Sequence, residues 1–138
     1  MALNTDLPQI EAILSDQGLP YSDCGEHIEH FLVLIDNESI VGVGGLEYYG
    51  DIALLRSIAI LHNHQKQGLG HSMYLQLKAN ARELGVKSLY LLTETADDYF
   101  SRHGFVEVDR SVVPEKIKAT KQFSGLCSES AVVMSIAL

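Results

Sequence analysis

The most regular pattern of apolar residues lies between positions 69 and 85. Apolar side chains recur there every three or four residues, and polar side chains fill the positions between them. This spacing predicts an amphipathic helix that packs on the protein core through one face. The apolar face consists of Leu69, Met73, Leu77, Ala81 and Leu84, and Gly85 is a typical helix end.

Short apolar runs, separated by turn residues, predict a set of strands. These runs cover residues 31–35, 40–47, 52–60, 88–92, 105–109 and 130–137. The run at 88–92 is apolar on both faces, which is typical of a strand buried in a parallel sheet. Because it follows a strand and a long helix, we expect these three elements to form a right-handed βαβ unit.

Shorter helical patterns complete the prediction. They lie at residues 6–18, with Pro8 in the first turn, and at 23–30, 95–103 and 114–119. We therefore expect an α/β fold in which a mixed central sheet of about six to seven strands carries helices on both faces. Little chain precedes the first helix, so a first strand is predicted to be short or absent. The length predicts a single domain over residues 1–138.

A glycine loop, Gln65-Lys66-Gln67-Gly68-Leu69-Gly70, joins the strand at 52–60 to the long helix. The first amides of a helix lack intrahelical acceptors and lie at the positive end of its dipole, so the loop predicts a phosphate site. Two phosphate motifs do not fit, because His71 replaces the lysine of a P-loop and Met73 replaces the third glycine of a dinucleotide fingerprint. A strand–helix connection without a ligand is the alternative that the glycine pair alone leaves open.

The order of apolar strand, loop, Gln/Arg-x-x-Gly-x-Gly and helix resembles the acyl-CoA-binding motif of the GNAT N-acetyltransferases. A second block fits the same family, with Ala96, Tyr99-Phe100 and Gly104-Phe105 at the family's spacing. Residues 91–105 and the stretch 123–127 narrow the resemblance. They are similar to the branch that contains the acetyltransferase domain of N-acetylglutamate synthase and arsenic-resistance-associated N-acetyltransferases.

This resemblance implies acetyl-CoA as the cofactor. It implies that the backbone of Ile58 and Ile60 pairs with the pantetheine arm and polarises the thioester, and that amides from Gln67 to His71 hold the pyrophosphate. Thr93 stands where many members have an asparagine that contacts the cofactor. The expected cofactor-binding residues are therefore Ile58, Ala59, Ile60, Gln65, Lys66, Gln67, Gly68, Leu69, Gly70, His71 and Thr93.

Acetyl transfer to an amine also needs a base, because an ammonium must lose a proton before it attacks. Glu47 is the candidate catalytic residue, and an exposed strand-end glutamate is its alternative interpretation. Glu94 is the second candidate, although a solvated position at a helix entry is favoured for it. The family often protonates the departing thiolate with a tyrosine at the position of Phe100. Tyr99 lies about 100° away around the helix, so we expect it not to take this role.

Arg56 is the one charged residue of its otherwise apolar strand. A buried arginine needs a carboxylate partner, which is either a structural Asp or Glu, the favoured alternative, or the α-carboxylate of a bound substrate. Histidine pairs at 27 and 30 and at 62 and 64 suggest metal ligands by spacing alone, but a solvated helix and a flank of the cofactor loop are the favoured interpretations. We expect no metal site.

Composition limits the classes of partner. The formal net charge is −8, which argues against nucleic acid and anionic membranes as partners. Cys24 and Cys127 lack metal-ligand spacing and are expected to be free thiols, Cys127 in buried packing. No signal peptide and no apolar run near 18 residues is apparent, so we expect a cytoplasmic location.

The resulting functional prediction is an acetyl-CoA-dependent N-acetyltransferase. The resemblance implies direct attack of a small-molecule amine, an amino acid or an amino-acid-like compound, on the thioester, and its members are often homodimers. A non-catalytic acyl-CoA-binding sensor or scaffold module of the same fold is the alternative, which the missing tyrosine at Phe100 keeps open.

Overall fold

The computed structural model describes residues 1–126 and 131–138, and Cys127 and Ser130 lie outside this part of the chain. Its strands are β1 (Phe31–Asp36), β2 (Ser39–Tyr49), β3 (Ile52–Ile60), β4 (Ser88–Thr93), β5 (Val106–Glu107) and β6 (Val132–Ala137). Its α-helices are α1 (Leu7–Asp16), α2 (Leu69–Glu83), α3 (Asp97–Arg102) and α4 (Glu115–Lys118). Short 3-10 turns cover Asn4–Asp6, Cys24–His30, His62–His64 and Arg110–Val112, and a π-helical turn covers Gln122–Leu126.

The described strands form one six-stranded mixed sheet in the order β1-β2-β3-β4-β6-β5. Only β3 and β4 pair in parallel, and every other neighbouring pair is antiparallel. The predicted fold class is therefore confirmed. Within the described residues no strand precedes α1, where the Ala2 amide donates to the carbonyl of Phe31 at 3.0 Å.

Helices cover both faces of the sheet. On one face, Met73, Tyr74, Leu77 and Ala81 of α2 pack with Phe100 of α3 against buried side chains of β2, β3 and β4. On the opposite face, α1 packs against β1 and β2, and Ile117 of α4 packs against Leu54 and Val133. No helix in residues 1–126 or 131–138 combines the length and the apolar character that crossing a membrane requires.

Two predicted elements differ from the structure. The helix expected at 23–30 is a 3-10 turn, and the strand expected at 105–109 is reduced to Val106–Glu107. The strand ends early because the side chain of Asp109 accepts hydrogen bonds from the amide and hydroxyl of Ser111, both at 2.8 Å, which turns the chain.

The pairing of β3 with β4 ends early, and this opens the sheet. The paired residues run only from Ile52 and Ser88 to Leu54 and Tyr90, although β3 continues to Ile60. Beyond Leu54, β3 stays paired with β2 and carries a β-bulge, in which Ser57 and Ile58 lie opposite the single residue Gly44. Ser57 accordingly has a left-handed backbone with φ of 63°. The two parallel strands therefore leave a wedge between them.

The glycines of β2 allow close packing on both of its faces. A Cβ atom on Gly45 would lie 2.3–2.6 Å from three ring carbons of Phe31, which is fully buried.

We expect Gly45→Ala to lower the free energy of unfolding by about 1–3 kcal/mol, because a well-packed ring has to move. Urea denaturation measures this change. Gly70→Ala is the control, because its Cβ would lie 3.9 Å from the nearest atom, Ile60 Cγ1; equal losses in both variants would contradict the explanation.

Candidate functional site

The wedge between β3 and β4 contains a cavity of about 350 Å³, which we call the wedge cavity. Residues 55–58 of β3 line one wall and residues 91–93 of β4 line the other. Tyr74 of α2 and Tyr99 and Phe100 of α3 also line the cavity, together with Leu19, Gly70, His71, Thr95 and Ala96. Since the β4 side of β3 has no strand partner here among the described residues, an extended ligand can pair with this edge as an added strand.

A second cavity of about 280 Å³, the loop pocket, lies at the glycine loop. It is lined by residues 58–60 of β3, by residues 64–66 and by Gly68, Leu69 and Gly70. Ile58 and Gly70 line both cavities, so the loop pocket continues into the wedge cavity. One elongated molecule can therefore occupy both.

The loop pocket has the features of an anion site. Gly68 caps α2 with φ of 79°, and Lys66 has φ of 66°, so the chain turns sharply twice before the helix begins. The fifteen-residue α2 directs its unpaired first amides and the positive end of its dipole to this end. Such a concave run of backbone amides favours phosphate.

The remaining loop residues hold the loop in place or lie outside the pocket. The side-chain amide of Gln65 donates to the carbonyl of Ile60 at 2.9 Å, and Gln17 donates to the same oxygen. Gln67 is exposed and lines neither cavity. His62 lies 3.9 Å from Asp16 and His64 lies 3.1 Å from Asp36, so each histidine contacts a different carboxylate and the two do not form a shared site.

The wedge cavity brings together His71 and Thr93, which were expected to bind the cofactor, and Tyr99, which was not expected to take part in the reaction. His71 Nδ1 and the Tyr99 hydroxyl are hydrogen-bonded at 2.8 Å, and both residues line the cavity with Phe100. Tyr99 thus reaches the cavity in spite of its rotation from the Phe100 position, but its hydroxyl is engaged by His71. The hydroxyl oxygen of Thr93 accepts from the amide of Ala96 at 2.9 Å, so its own O–H remains available to a ligand.

Arg56 is one of the residues that line the wedge cavity, and its guanidinium is the centre of a buried ionic network on the face of the sheet opposite α2. Its Nη1 donates to Asp23 at 2.6 Å and to Glu47 at 2.7 Å, and its Nη2 donates to the second oxygen of Asp23 at 2.7 Å. Nε donates to Ser57 at 2.8 Å, and Gln122, with its amide oxygen turned to the guanidinium, accepts at 3.1 Å. Because protein groups engage every nitrogen, the arrangement favours the structural alternative for Arg56, and its role in substrate binding stays a prediction.

The network changes the proton affinity of its members. Burial alone raises the pKa of Asp23, but the hydrogen bonds and charge of Arg56 outweigh it and hold this pKa below its ordinary value. Burial lowers the pKa of Arg56, and the hydrogen bond and charge of Asp23 reverse this effect. Burial and the hydrogen bond to Glu47 raise the pKa of the Tyr49 hydroxyl far above its ordinary range. Asp23 and Arg56 therefore remain an ion pair, and Tyr49 remains a hydrogen-bond donor.

Glu47, the predicted base, is buried within this network and is not one of the residues that line the wedge cavity. One of its oxygens accepts from the Tyr49 hydroxyl at 2.6 Å and lies 3.3 Å from His27 Nε2. Ligand atoms of Asp23, His27 and Glu47 lie within 4.8 Å of one another, which suits a metal by distance. The guanidinium already bonds both carboxylates, so we assign no metal there. Glu94 is exposed, between Thr93 and Thr95 of the cavity lining.

Sequence reasoning did not identify four residues of these two regions: Asp23, His27, Tyr74 and Gln122. The burial of Arg56 called for an acidic partner, but Asp23 lies 33 residues earlier in the chain and no local pattern connects them. His27 was expected on a solvated helix and instead contacts Glu47. Tyr74 follows Met73 of the predicted apolar face, and nothing in the helical pattern distinguishes it from a packing residue.

Comparison with known proteins links this geometry to a family. A family model described as "Acetyltransferase (GNAT) domain" matches residues 27–107. An uncharacterized N-acetyltransferase of Chlorobaculum tepidum is 29% identical over 93 residues, which are 67% of this chain and 59% of that protein. The amino-acid acetyltransferase of Mycobacterium tuberculosis is 31% identical over 80 residues, 56% of this chain and 45% of that protein. The match thus spans about half the length of these relatives.

Solved structures share the fold at low sequence identity. A Mycobacterium tuberculosis protein, crystallised in complex with CoA, superposes with a TM-score of 0.81 at 22% identity. The superposition covers 99% of this chain and 96% of the Mycobacterium chain. The N-acetylglutamate synthase of Neisseria gonorrhoeae, complexed with coenzyme A and N-acetyl-glutamate, gives a TM-score of 0.84 at 21% identity over 99% of this chain and 34% of its own.

We expect Arg56→Leu to lower the free energy of unfolding by about 3–5 kcal/mol, because it leaves Asp23 and Glu47 buried without a counter-charge. Thermal and urea denaturation measure the loss. Lys121→Leu is the matched control: it removes a cation 2.6 Å from Glu26 at the exposed surface, where an ion pair contributes little. An Arg56→Leu variant as stable as the parent protein, with a raised KM for carboxylate-bearing acceptors, would instead support the substrate-binding alternative.

Proposed function

Because this chain belongs to the GNAT acetyltransferase family, we propose that it transfers the acetyl group of acetyl-CoA to the amine of a small molecule. The proposal rests on one observation above all, which is that the loop pocket and the wedge cavity share Ile58 and Gly70. An anion site that continues into an elongated, mostly apolar slot matches the chemistry of CoA, with its pyrophosphate at one end and its pantetheine arm beyond.

In the proposed complex, the first amides of α2 bind the pyrophosphate and Lys66 adds a positive charge at the rim. The pantetheine amides pair with the free edge of β3 at Ile58 and Ile60, and Thr93 offers its hydroxyl from the facing strand. The solved neighbours complexed with CoA support the choice of cofactor. When bound, acetyl-CoA supplies the activated acetyl group. An amide of β3 that donates to the thioester carbonyl stabilises the developing oxyanion, an effect typically worth about 10²–10³ in rate.

We assign the base to Glu47, acting on the amine through water. A carboxylate is a chemical group that can take up this proton, and general base catalysis contributes about 10²–10⁴ in rate. The Arg56 cation and the Tyr49 hydroxyl hold the carboxylate of Glu47 in one orientation. The neutral amine then attacks the thioester directly, and no acyl-enzyme forms.

The proposed acceptor class is an amino acid or an amino-acid-like amine. This choice is supported by the amino-acid acetyltransferase relatives and by the neighbour complexed with N-acetyl-glutamate. A thiol-release screen of L-amino acids, amino-acid-like compounds and polyamines with acetyl-CoA tests it. A non-catalytic acyl-CoA-binding module is the less favoured candidate, and it requires tight CoA binding with no thiol release for any amine in the screen.

Gly68→Val tests the cofactor site. Nothing lies within 4 Å of a Cβ atom at Gly68, but its φ of 79° is strained for valine, so we expect the loop to distort and acetyl-CoA affinity to fall more than tenfold. Calorimetric titration measures the affinity. Gly85→Val is the matched control at the other end of α2, where φ is 86° and the space is equally open. Retained affinity in Gly68→Val, or an equal loss in both variants, would contradict the loop site.

Glu47→Gln tests the base. We expect turnover to fall about 10²–10⁴-fold, while the dissociation constant of acetyl-CoA stays within about threefold, because the amide keeps an acceptor for Arg56 but takes up no proton. Thiol-release kinetics and calorimetry measure the two quantities. Glu94→Gln makes the same change at an exposed position and is expected to be neutral. If turnover falls in Glu94→Gln and not in Glu47→Gln, the base is Glu94.

A further inference from the structure

Tyr74 of α2 carries a buried hydroxyl without a partner. The residue is 1% exposed, and its hydroxyl oxygen has no hydrogen-bond partner among the described residues. A buried hydroxyl that has lost its hydrogen bonds to water and has no protein partner destabilises the folded state. A phenylalanine would fill nearly the same space without this desolvation cost. The hydroxyl therefore calls for an explanation beyond packing.

The neighbours of Tyr74 leave its hydroxyl unsatisfied. The rings of His71, Tyr99, Phe100, His103 and Phe105 surround it at centroid distances of 5.9–6.4 Å. The Tyr99 hydroxyl and His71 Nδ1 are hydrogen-bonded to each other at 2.8 Å, and neither is bonded to the Tyr74 hydroxyl. Lys78 Nζ lies 5.8 Å from the ring centroid, over its face rather than at the hydroxyl.

A ligand bound in the wedge cavity can supply the missing hydrogen-bond partner of Tyr74. Tyr74 lines this cavity together with the bulged residues Ser57 and Ile58. It follows Gly70 by four residues and therefore lies on the same face of α2, one turn further from the loop pocket. In the complex proposed above, a ligand anchored in the loop pocket extends past Gly70 into the wedge cavity. Because Tyr74 lines that cavity, we expect it to lie beside the end of the ligand that is far from the phosphates.

We propose that the hydroxyl of Tyr74 donates a hydrogen bond to the sulfur atom of the bound acyl-CoA. This inference rests on the function proposed above. The thioester carbonyl is expected to accept from the β3 edge, so sulfur is the acceptor that remains at the reacting end of the arm. Burial, followed by the influence of Tyr99, raises the pKa of Tyr74, which keeps its hydroxyl protonated as a donor.

The hydrogen bond gains strength as the reaction proceeds. The ammonium form of the acceptor loses one proton to Glu47 through water, and the neutral nitrogen forms its bond to the carbonyl carbon. The carbon–sulfur bond then breaks and its electron pair stays on sulfur. The nitrogen loses its second proton to solvent water, and Glu47 returns the first proton to solvent. Tyr74 keeps its own proton and stabilises the thiolate, since a hydrogen bond to an ionised acceptor is stronger than one to a neutral atom. The thiolate of CoA is then protonated from solvent, so one proton is released for each acetyl group transferred.

The test combines Tyr74→Phe with two ligands, CoA and desulfo-CoA, which lacks the sulfur. We expect the variant to bind CoA about tenfold more weakly at pH 8.5, where the thiolate is populated, and to bind desulfo-CoA within twofold of the parent protein. Calorimetry gives the four affinities. We also expect the free variant to unfold at a higher urea concentration than the parent protein, because the unpaired hydroxyl is gone.

Tyr99→Phe is the matched control, because it removes the hydroxyl that is already paired with His71. It is expected to lower stability and to leave the ratio of the CoA and desulfo-CoA affinities unchanged. Equal losses for both ligands in Tyr74→Phe, or no loss for either, would overturn the assignment to sulfur. If the parent protein binds neither ligand, the proposed function itself fails, whereas binding with an unchanged ratio rejects only the role of Tyr74.

Discussion

The arrangement depends on the early separation of two parallel strands. Three residue pairs join β3 to β4. Beyond Leu54, among the residues that the structure describes, β3 pairs only with β2 and β4 pairs only with β6. The bulge at Ser57 and Ile58 adds twist at the point of separation. The backbone pairing thus leaves an opening in the middle of the sheet, with the start of α2 at its mouth.

The two faces of the sheet divide the chemistry between them. On the α2 face the lining is largely apolar and aromatic, as an acyl carrier requires. On the opposite face, Arg56 bonds the carboxylate of Asp23, which directly precedes the 3-10 turn after α1, and that of Glu47 in β2. The side-chain amide of Gln122, from the π-helical turn, also accepts from Arg56. One guanidinium thereby ties segments that are distant in sequence to the middle of β3. Such a network fixes geometry more than it adds stability, because desolvation offsets much of its Coulomb energy.

The sequence was most informative where one physical requirement governs a whole element. The apolar repeat of residues 69–84 predicted α2 almost to the residue, and the glycine loop predicted a pocket in which eight of the expected cofactor residues come together. The ionic network could not be predicted in the same way. The burial of Arg56 showed that it needed a carboxylate but not which one, because pairing across 33 residues is set by tertiary packing. Tyr74 could not be predicted for a different reason. Its helical position is that of an ordinary core residue, and its distinguishing feature is a hydroxyl without a hydrogen-bond partner among the described residues.

The carbonyl oxygen of Ile60 links two parts of the molecule that otherwise belong to different faces. It accepts from Gln17, directly after α1, and from Gln65, at the start of the glycine loop. The last residue of β3 therefore holds both segments through one carbonyl oxygen. A displacement of this oxygen alters both hydrogen bonds, so we expect motion of the glycine loop and motion at the end of α1 to be coupled. The two faces of the sheet are in this way connected through a single peptide group.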